Sequence, residues 1–315
     1  TMNENIKKIL DSQISNGFDE WSVEPTVNDV LDHHTFLFSV KGGLIQSIES
    51  LPDNSWESSV RVQQMLPFLI PALRKSDVKD LKFFIYTCDH SAWCGLDEKF
   101  PVLSFCKVSD QNAITIPNID FYSGVLESVL AHATATDISY TNKKNSSFFA
   151  GASTNPKRME YCEKVLNSKQ HEAVITNVVG NVNREDWPNF ERYVEPRFIS
   201  QNEQMKHKFL VNIDGYAACY SRLYWQMSSN SVPVYLNRDK SYEQLHDYLI
   251  EPNQHYVDTT FERWPAVFQE LDDDACKSIV NEGKEFCMEH FTNLNEKTVD
   301  ILSYTFATMQ EAKQW

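Results

Sequence analysis

An acidic residue follows the most apolar segment in the first half of the chain. Residues 81–87 have the composition of a buried strand, and Cys88-Asp89-His90 comes directly after them. A carboxylate at the carboxyl end of a strand, in a cleft, can take a proton from an attacking hydroxyl group. The same residues suit a turn in which Asp89 caps the backbone. Asp89 is therefore a candidate general base, with His90 as the rival.

An arginine follows a glycine turn in the segment 206–236. The sequence there predicts a strand at 209–213, a turn at Asp214-Gly215, a helix at 217–229 and a strand at 232–236. In such a βαβ unit the first turn and the helix N-terminus form an anion site. We place Arg222 in the second turn of the helix, and a guanidinium group binds phosphate in a fork geometry.

A second glycine loop, 151–158, joins a predicted strand at 147–150 to a predicted helix at 159–166. Gly151 lets backbone amides approach a phosphate closely, and the helix N-terminus adds partial positive charge. The alternative is an ordinary strand-to-helix loop.

Strands and helices alternate along both halves of the chain, which predicts an α/β protein with two doubly wound, Rossmann-type domains facing a cleft. The loops after Thr87, Ala150 and Ile213 follow the carboxyl ends of strands, where ligands bind in such sheets. We expect domains at 1–140 and 145–296, separated by a polar segment, and a C-terminal helix (297–315) that packs back on the first domain.

The other predicted elements follow from hydrophobic periodicity and turn signals. They are a hairpin at 34–48, helices at 3–16, 61–75, 121–132, 263–271 and 272–291, and strands at 101–105, 173–179 and 255–257. Pro67 and Pro71 are expected to bend or divide the helix at 61–75.

Composition bounds the function. The chain has 315 residues and a formal net charge of −15, which argues against broad nucleic-acid binding. It has no apolar run long enough to span a membrane. The first residues lack the apolar stretch of a signal peptide, so no secretory signal is expected. The seven scattered cysteines, without a CxxC pair, indicate reduced thiols. We therefore expect a cytoplasmic protein.

The order of these motifs resembles glycosyltransferase family 90, which includes protein O-glucosyltransferases, capsule-associated proteins and lipopolysaccharide-type transferases. The resemblance covers roughly residues 81–290. The shared positions are Asp89, Val102 to Lys107, Asn212, Asp214-Gly215, Arg222, Ser228, Ser231-Val232 and His255-Tyr256-Val257.

The loop 149–158 resembles the family's Phe-Arg-Gly-Ser-Arg-Thr-Ser-Pro-Glu-Arg motif. The matching positions are Phe149, Gly151, Thr154, Pro156 and Arg158. Ala150 and Ser153 stand where the family has arginines, and the second of these helps hold the donor diphosphate. Arg158, Lys157 and Lys143 are the candidates to replace its charge.

The resemblance implies a GT-B fold and inverting, metal-independent transfer from a UDP-sugar, of the glucose or xylose class, to a hydroxyl of a glycan. Asp89 would be the base, and Arg222 with the amides near Gly151 and Gly215 would stabilise the leaving diphosphate. The UDP-sugar is the donor substrate, and no cofactor or metal is expected. The donor-binding candidates are Phe149, Gly151, Ala152, Ser153, Thr154, Arg158, Asn212, Asp214, Gly215, Tyr216, Ala217 and His255.

Three details complete these expectations. Tyr216 or Phe149 could stack on the uracil, although an aromatic residue beside a glycine more often belongs to the core. Asp272-Asp273-Asp274 is interpreted as a helix cap rather than a metal site. A cytoplasmic chain points to a glycan or glycolipid acceptor in lipopolysaccharide or capsule assembly, with peripheral association at the inner membrane surface. The alternatives are a non-catalytic nucleotide- or glycan-binding relative and a metal-dependent two-domain sugar-nucleotide enzyme.

Overall fold

The computed structural model describes residues 2–18, 23–29, 32–90, 100–180 and 182–313. The chain divides into two compact units. The first comprises residues 1–125, 240–249 and 293–315, and the second comprises residues 126–239 and 250–292. Each unit combines helices with parallel strands, which confirms the predicted α/β class with two Rossmann-like units. The roles of acceptor side and donor side stay predictions.

Within the described residues the strands form two five-stranded sheets and one two-stranded ribbon. The strands are β1 (Thr35–Lys41), β2 (Leu44–Glu49), β3 (Asp80–Tyr86), β4 (Val102–Ser104), β5 (Lys107–Val108), β6 (Ala113–Thr115), β7 (Lys144–Ala152), β8 (His171–Asn177), β9 (His207–Asn212), β10 (Val232–Leu236), β11 (Tyr242–Glu243) and β12 (Val257–Thr259). The ribbon pairs β5 with β11 and belongs to the first unit.

The sheet of the first unit has the order β2-β1-β3-β4-β6. Strands β3, β4 and β6 run parallel, whereas β1 is antiparallel to both β2 and β3. The sheet of the second unit has the order β12-β10-β9-β7-β8 and is parallel throughout. Because the chain passes from β7 outward to β8 and then returns to β9 on the other side of β7, the strand order reverses between β7 and β9. Ligands of doubly wound sheets bind at this reversal, beyond the carboxyl ends of the strands.

The α-helices are α1 (Glu4–Phe18), α2 (Trp56–Lys75), α3 (Ile119–Tyr122), α4 (Val125–Thr136), α5 (Pro156–Val165), α6 (Phe190–Tyr193), α7 (Gln201–Gln204), α8 (Ser221–Ser228), α9 (Trp264–Glu270), α10 (Asp273–Phe291) and α11 (Leu294–Ala312). Short 3-10 helices cover Val27–Asp29, Tyr140–Asn142, Arg184–Asp186 and Leu245–Leu249. None of the helices in the described ranges has both the length and the apolarity needed to cross a bilayer.

Each unit has its own aromatic core. In the first, Phe83 stacks on Phe38 with ring centroids 5.4 Å apart and contacts Phe306 of α11 at 5.1 Å. In the second, Phe209 of β9 contacts Trp264 and Phe268 of α9 at 5.5 and 5.1 Å. All residues of β10 are buried, as expected for the centre of a parallel sheet covered on both faces.

Several element boundaries differ from the prediction for local reasons. Helix α2 begins five residues early because Ser55 caps it by accepting a hydrogen bond from the Ser58 amide, and it is not divided at Pro67 or Pro71. The single helix expected at 121–132 is two helices, interrupted at Gly124, whose φ is +75°. A positive φ is unfavourable inside a right-handed helix, so the chain turns there.

Candidate functional site

Arg158 of α5 joins the two loops at the strand-order reversal. Its Nε donates to the carbonyls of Ile213 and Asp214 at 3.2 and 3.0 Å. Its Nη1 and Nη2 donate to the carbonyls of Ala152 and Ile213, both at 3.0 Å. Arg158 is buried, and these bonds tie the β7–α5 loop to the β9–α8 loop. The two glycine loops predicted from the sequence therefore meet in the structure.

The two glycines allow this close packing. A Cβ atom on Gly151 would lie 2.9 Å from Phe149 Cζ, and one on Gly215 would lie 3.0 Å from Thr154 Oγ1 and 3.1 Å from Arg158 Nη2. The amide of Gly215 donates to the carbonyl of Ala217 at 2.9 Å. The Gly215 amide is therefore already bonded within its loop, and the glycine makes room for Arg158. The role of the amides near Gly151 and Gly215 in stabilising the leaving diphosphate stays a prediction.

Arg222 is the second cation at the reversal. Helix α8 begins at Ser221 because residues 216–220 form a loop, so Arg222 lies in the first turn of the helix and not in the second, as predicted. Its Nη1 donates to the carbonyl of Ala150, and its guanidinium lies 5.6 Å from the Phe149 ring centroid. Burial and the neighbouring Arg158 lower the pKa of Arg222 to about 10, which leaves it charged at neutral pH.

These two arginines share one aromatic ring, since the Arg158 guanidinium lies 5.9 Å from the same Phe149 centroid. The ion pairs formed among the described residues include neither arginine. Their partners are carbonyl oxygens, which carry only partial negative charge. The loops therefore hold two positive charges without a carboxylate on either, in a chain whose formal net charge is −15.

Asp214 and Asn212 support the β9–α8 loop. Asp214 is buried, accepts from the Tyr235 hydroxyl and accepts from the Asp239 amide at 2.7 Å. Burial raises the pKa of its carboxyl group. The Asn212 side chain donates to the Gln226 side chain inside the unit. The polar groups of both residues are directed into the protein, and their hydrogen bonds stabilise the β9–α8 loop.

Ser153 stabilises the β7–α5 loop. Its hydroxyl donates to the Val179 carbonyl at 3.0 Å and accepts from the Val179 amide at 2.8 Å. The residue that stands where the family has an arginine therefore supplies no charge. Beside it, the Oγ1 atom of Thr154 is buried and has no hydrogen-bond partner among the described residues.

The two candidate aromatic residues, Phe149 and Tyr216, differ in solvent exposure. Phe149 is fully buried beneath the arginines, so the suggestion that it stacks on uracil is wrong. The Tyr216 side chain is 43 % exposed, and its hydroxyl lies 3.5 Å from the position of a Cβ on Gly180. Ala217 is a buried residue of the loop 216–220, and the carbonyl of Ala152 accepts a hydrogen bond from Arg158. Tyr216 is the aromatic candidate that remains.

Two predicted residues lie at the opposite edge of the sheet. His255 precedes β12, which begins at Val257 and not at His255 as predicted, and its Nδ1 accepts from the Glu251 amide at 2.9 Å. Lys143 precedes β7 and forms a buried ion pair with Asp137. Because both lie at the amino ends of parallel strands, the structure does not bring them together with the arginines.

Sequence reasoning missed Arg238, which follows β10 at the same edge as the two loops. Its Nη1 donates to the Tyr256 hydroxyl at 2.7 Å, and its guanidinium lies 5.1 Å from the Tyr235 ring centroid. The signal was available, because a cation directly after the apolar run 232–236 lies at the carboxyl end of a central strand. Lys157 lies nearby and donates to the Asn237 carbonyl at 3.2 Å.

Asp89 lies in the first unit, just beyond the carboxyl end of β3. Burial raises the pKa of its carboxyl group; Arg61 opposes this rise and Glu57 adds to it. A raised pKa brings a carboxylate closer to the value suited to a general base near neutral pH. His90, the rival base, is buried, and its ring lies 5.3 Å from that of Tyr242. Burial lowers the pKa of His90. The choice of Asp89 over His90 as the base stays a prediction.

The acidic run at 272–274 is a helix cap, as predicted. The Asp272 side chain accepts from the Ala275 amide at 2.8 Å at the start of α10. Among the residues that the structure describes, His, Cys, Asp and Glu form no cluster of three suited to a metal ion. Metal independence itself stays a prediction.

The fold and these loops define an α/β protein with a cationic site at the carboxyl edge of its second sheet. The sequence profile of Glycosyl transferase family 90 matches residues 59–313, most of the chain. The chain therefore belongs to glycosyltransferase family 90.

The chain is similar to human protein O-glucosyltransferase 3, with 22 % identity over 60 % of this chain and 38 % of that protein. It is 26 % identical to zebrafish protein O-glucosyltransferase 2 over 71 % of this chain and 46 % of that protein. It spans less than half the length of these relatives. A solved C-terminal domain of a group 1 glycosyl transferase from Francisella tularensis matches 48 % of the chain and 88 % of that domain, with 9 % identity and a TM-score of 0.33.

Proposed function

We propose that the chain is an inverting, metal-independent glycosyltransferase that moves a sugar from a UDP-sugar to a hydroxyl of a glycan acceptor. The observation that carries the proposal is the pair of arginines at the strand-order reversal. Arg158 and Arg222 contact the same ring and have no carboxylate partner among the described residues. A diphosphate is an anion of the charge and shape that guanidinium groups bind.

In the proposed reaction, Asp89 accepts the proton of the acceptor hydroxyl as that oxygen attacks the anomeric carbon. The attack comes from the face opposite UDP and inverts the anomeric configuration. The bond between the anomeric carbon and the diphosphate oxygen breaks, and its electron pair remains on the diphosphate. Arg222, in the first turn of α8, then stabilises the negative charge that develops there.

Other residues of the second unit have supporting roles in this proposal. The buried Thr154 hydroxyl, which has no partner among the described residues, would donate to a phosphate oxygen. The exposed ring of Tyr216 would stack on the uracil. Arg158 would add its positive charge to the site and hold the two loops together without donating to the diphosphate, because its hydrogen bonds already go to three carbonyls.

The donor sugar and acceptor belong to the proposal as well. The relatives are protein O-glucosyltransferases, which favours glucose within the glucose or xylose class. A glycan or glycolipid acceptor in lipopolysaccharide or capsule assembly, at the cytoplasmic face of a membrane, remains the proposed setting.

The substitution Asp89→Asn tests the reaction. Loss of a general base should lower transfer by about 10²–10⁴-fold while UDP binding, measured by calorimetry, is retained. Asp80→Asn is the matched control, since Asp80 is an exposed residue at the other end of β3. Full transfer activity in the Asp89 variant would refute the assignment of the base.

A second candidate is a nucleotide-binding relative without catalysis, and Ser153 in place of the family arginine favours it. Clear UDP binding in the wild-type chain, together with no transfer and no slow hydrolysis of any UDP-sugar, would support this alternative. Loss of activity on addition of EDTA would instead support a metal-dependent enzyme.

A further inference from the structure

A groove lies at the amino edge of the second unit's sheet, on the opposite side from the arginine loops. Its volume is about 440 Å³. Helices α4 and α10 form its walls, and Ser228, the last residue of α8, and Asn230, which precedes β10, also line it. The walls are mostly apolar and include Leu130, Ala133, Cys287, Met288 and Phe291. This size and lining are typical of small-molecule sites, which combine apolar walls with a few polar groups.

Asp137, which lines the groove, forms an ion pair with Lys143. The side chains of Lys143 and Asp137 are 0 % and 2 % exposed, and the Lys143 ammonium donates to one carboxylate oxygen of Asp137. The other Asp137 oxygen accepts from the Asn230 amide. Lys143 also donates to the Met205 carbonyl. Both oxygens of the Asp137 carboxylate are therefore already hydrogen-bonded within the protein.

A second lysine, Lys284 of α10, lines the groove beside this pair and is half-buried. Its ammonium donates to the Asn230 side-chain oxygen, and it forms no ion pair with any carboxylate in the described parts of the chain. Burial lowers the pKa of Lys284, and Asp137 counteracts this effect. Two lysines and one carboxylate leave one positive charge in excess at the polar end of an apolar groove.

We propose that this groove binds a single-chain amphipathic anion, with the alkyl chain between α4 and α10 and the acidic head group on Lys284. The charge excess selects an anion, and an ammonium has three donors, of which Asn230 takes one. The apolar walls select an alkyl tail. Met288, 65 % exposed, and Ile138, 42 % exposed, extend the apolar surface around this region. This site does not depend on the proposed sugar transfer.

Calorimetric titration of the whole chain with laurate, below its micellar concentration, tests the site. Laurate should bind, butyrate should bind much more weakly because its tail is short, and dodecyltrimethylammonium should not bind. Lys284→Gln should weaken laurate binding by about tenfold or more, because a charge-assisted hydrogen bond is lost. Ala135→Trp, at the lining of the groove, should abolish it by filling the space.

Two variants serve as controls. Lys277→Gln removes a lysine from an exposed position of the same helix and should leave laurate binding unchanged. Lys284→Arg keeps the charge and should retain binding within a few-fold. A cooperative thermal unfolding transition establishes that each variant is folded. If Lys284→Gln does not fold, laurate binding by Lys284→Arg and Ala135→Trp tests the proposal instead.

Four results would overturn the proposal. The first is no laurate binding, and the second is equal laurate binding by the wild type and the Lys284→Gln and Ala135→Trp variants. The third is sedimentation of the protein with anionic vesicles without binding of monomeric laurate. The fourth is a dimer that laurate does not affect and that Ala135→Trp dissociates. The last two would assign the groove to a membrane surface and to a second copy of the chain.

Discussion

Cations lie at both edges of the second unit's sheet, but their hydrogen-bond partners differ between the edges. At the amino edge, Lys143 has a carboxylate of its own, Asp137, and both side chains are almost fully buried. At the carboxyl edge, Arg158 and Arg222 have only backbone carbonyls. Removal of the carboxylate from a buried ion pair is strongly destabilising, whereas a cation without a carboxylate, such as Arg222, is available to an external anion. The comparison separates the structural charge of Lys143 from the binding charge of Arg222 within one sheet.

The largest effect on stability is expected from Asp137→Asn at the amino edge. The variant leaves Lys143 buried without a countercharge, which should lower the free energy of unfolding by about 3–5 kcal/mol. Urea denaturation measures this change, and UDP affinity of the folded protein should be unaltered. Asp274→Asn, at a 99 % exposed side chain, is the control and should shift stability by less than about 0.5 kcal/mol. A similar small shift for Asp137→Asn would remove the distinction between the two edges.

Gly215→Ala should have the next largest effect, at the carboxyl edge. The added methyl group would lie 3.0 Å from Thr154 Oγ1 and 3.1 Å from Arg158 Nη2, so these side chains must shift by a few tenths of an ångström. We expect a loss of about 1–3 kcal/mol in unfolding free energy, with weaker UDP binding. Adding Thr154→Ala removes the closer contact and should recover part of the stability. Unchanged stability and UDP binding in the single variant would show that the tight loop packing is unimportant.

A smaller effect is expected from Ser153→Ala. The hydroxyl exchanges two hydrogen bonds with Val179 and contributes no charge. We predict a loss of about 1 kcal/mol in thermal or urea unfolding, with UDP affinity unchanged. A large drop in UDP affinity would mean that Ser153 contacts the donor after all.

The smallest predicted effect is a shift in the pH dependence of sugar transfer when Arg61 of the first unit is replaced. Because Asp89 must be ionised to act as a base, transfer should fall as the pH drops through its raised pKa, above the range of an ordinary aspartate. Arg61 lowers the pKa of Asp89, so Arg61→Gln should move this acidic limb to higher pH. The measurement is kcat/KM against pH. A limb that stays in place, or moves to lower pH, would contradict the role of Asp89.

Much of the second unit could be predicted because its strands are short apolar runs with glycine turns. The strand at 232–236 was predicted with its observed bounds, and the two glycine loops do meet. Periodicity does not show how a loop folds, so the late start of α8 and the true turn of Arg222 were missed. It also cannot show that Phe149 points into the core or that His255 lies at the other sheet edge, since both depend on long-range packing.

The most direct test of the central claim compares UDP with uridine in the wild type and in Arg222→Gln, by calorimetry. The carboxyl edge should bind the diphosphate, so the wild type should bind UDP more tightly than uridine. Arg222→Gln should weaken UDP by about 10–100-fold and leave uridine unchanged, since a charged hydrogen bond contributes about 1.5–3 kcal/mol. Equal UDP affinity in the two proteins, or equal losses for UDP and uridine, would contradict a diphosphate site at this edge.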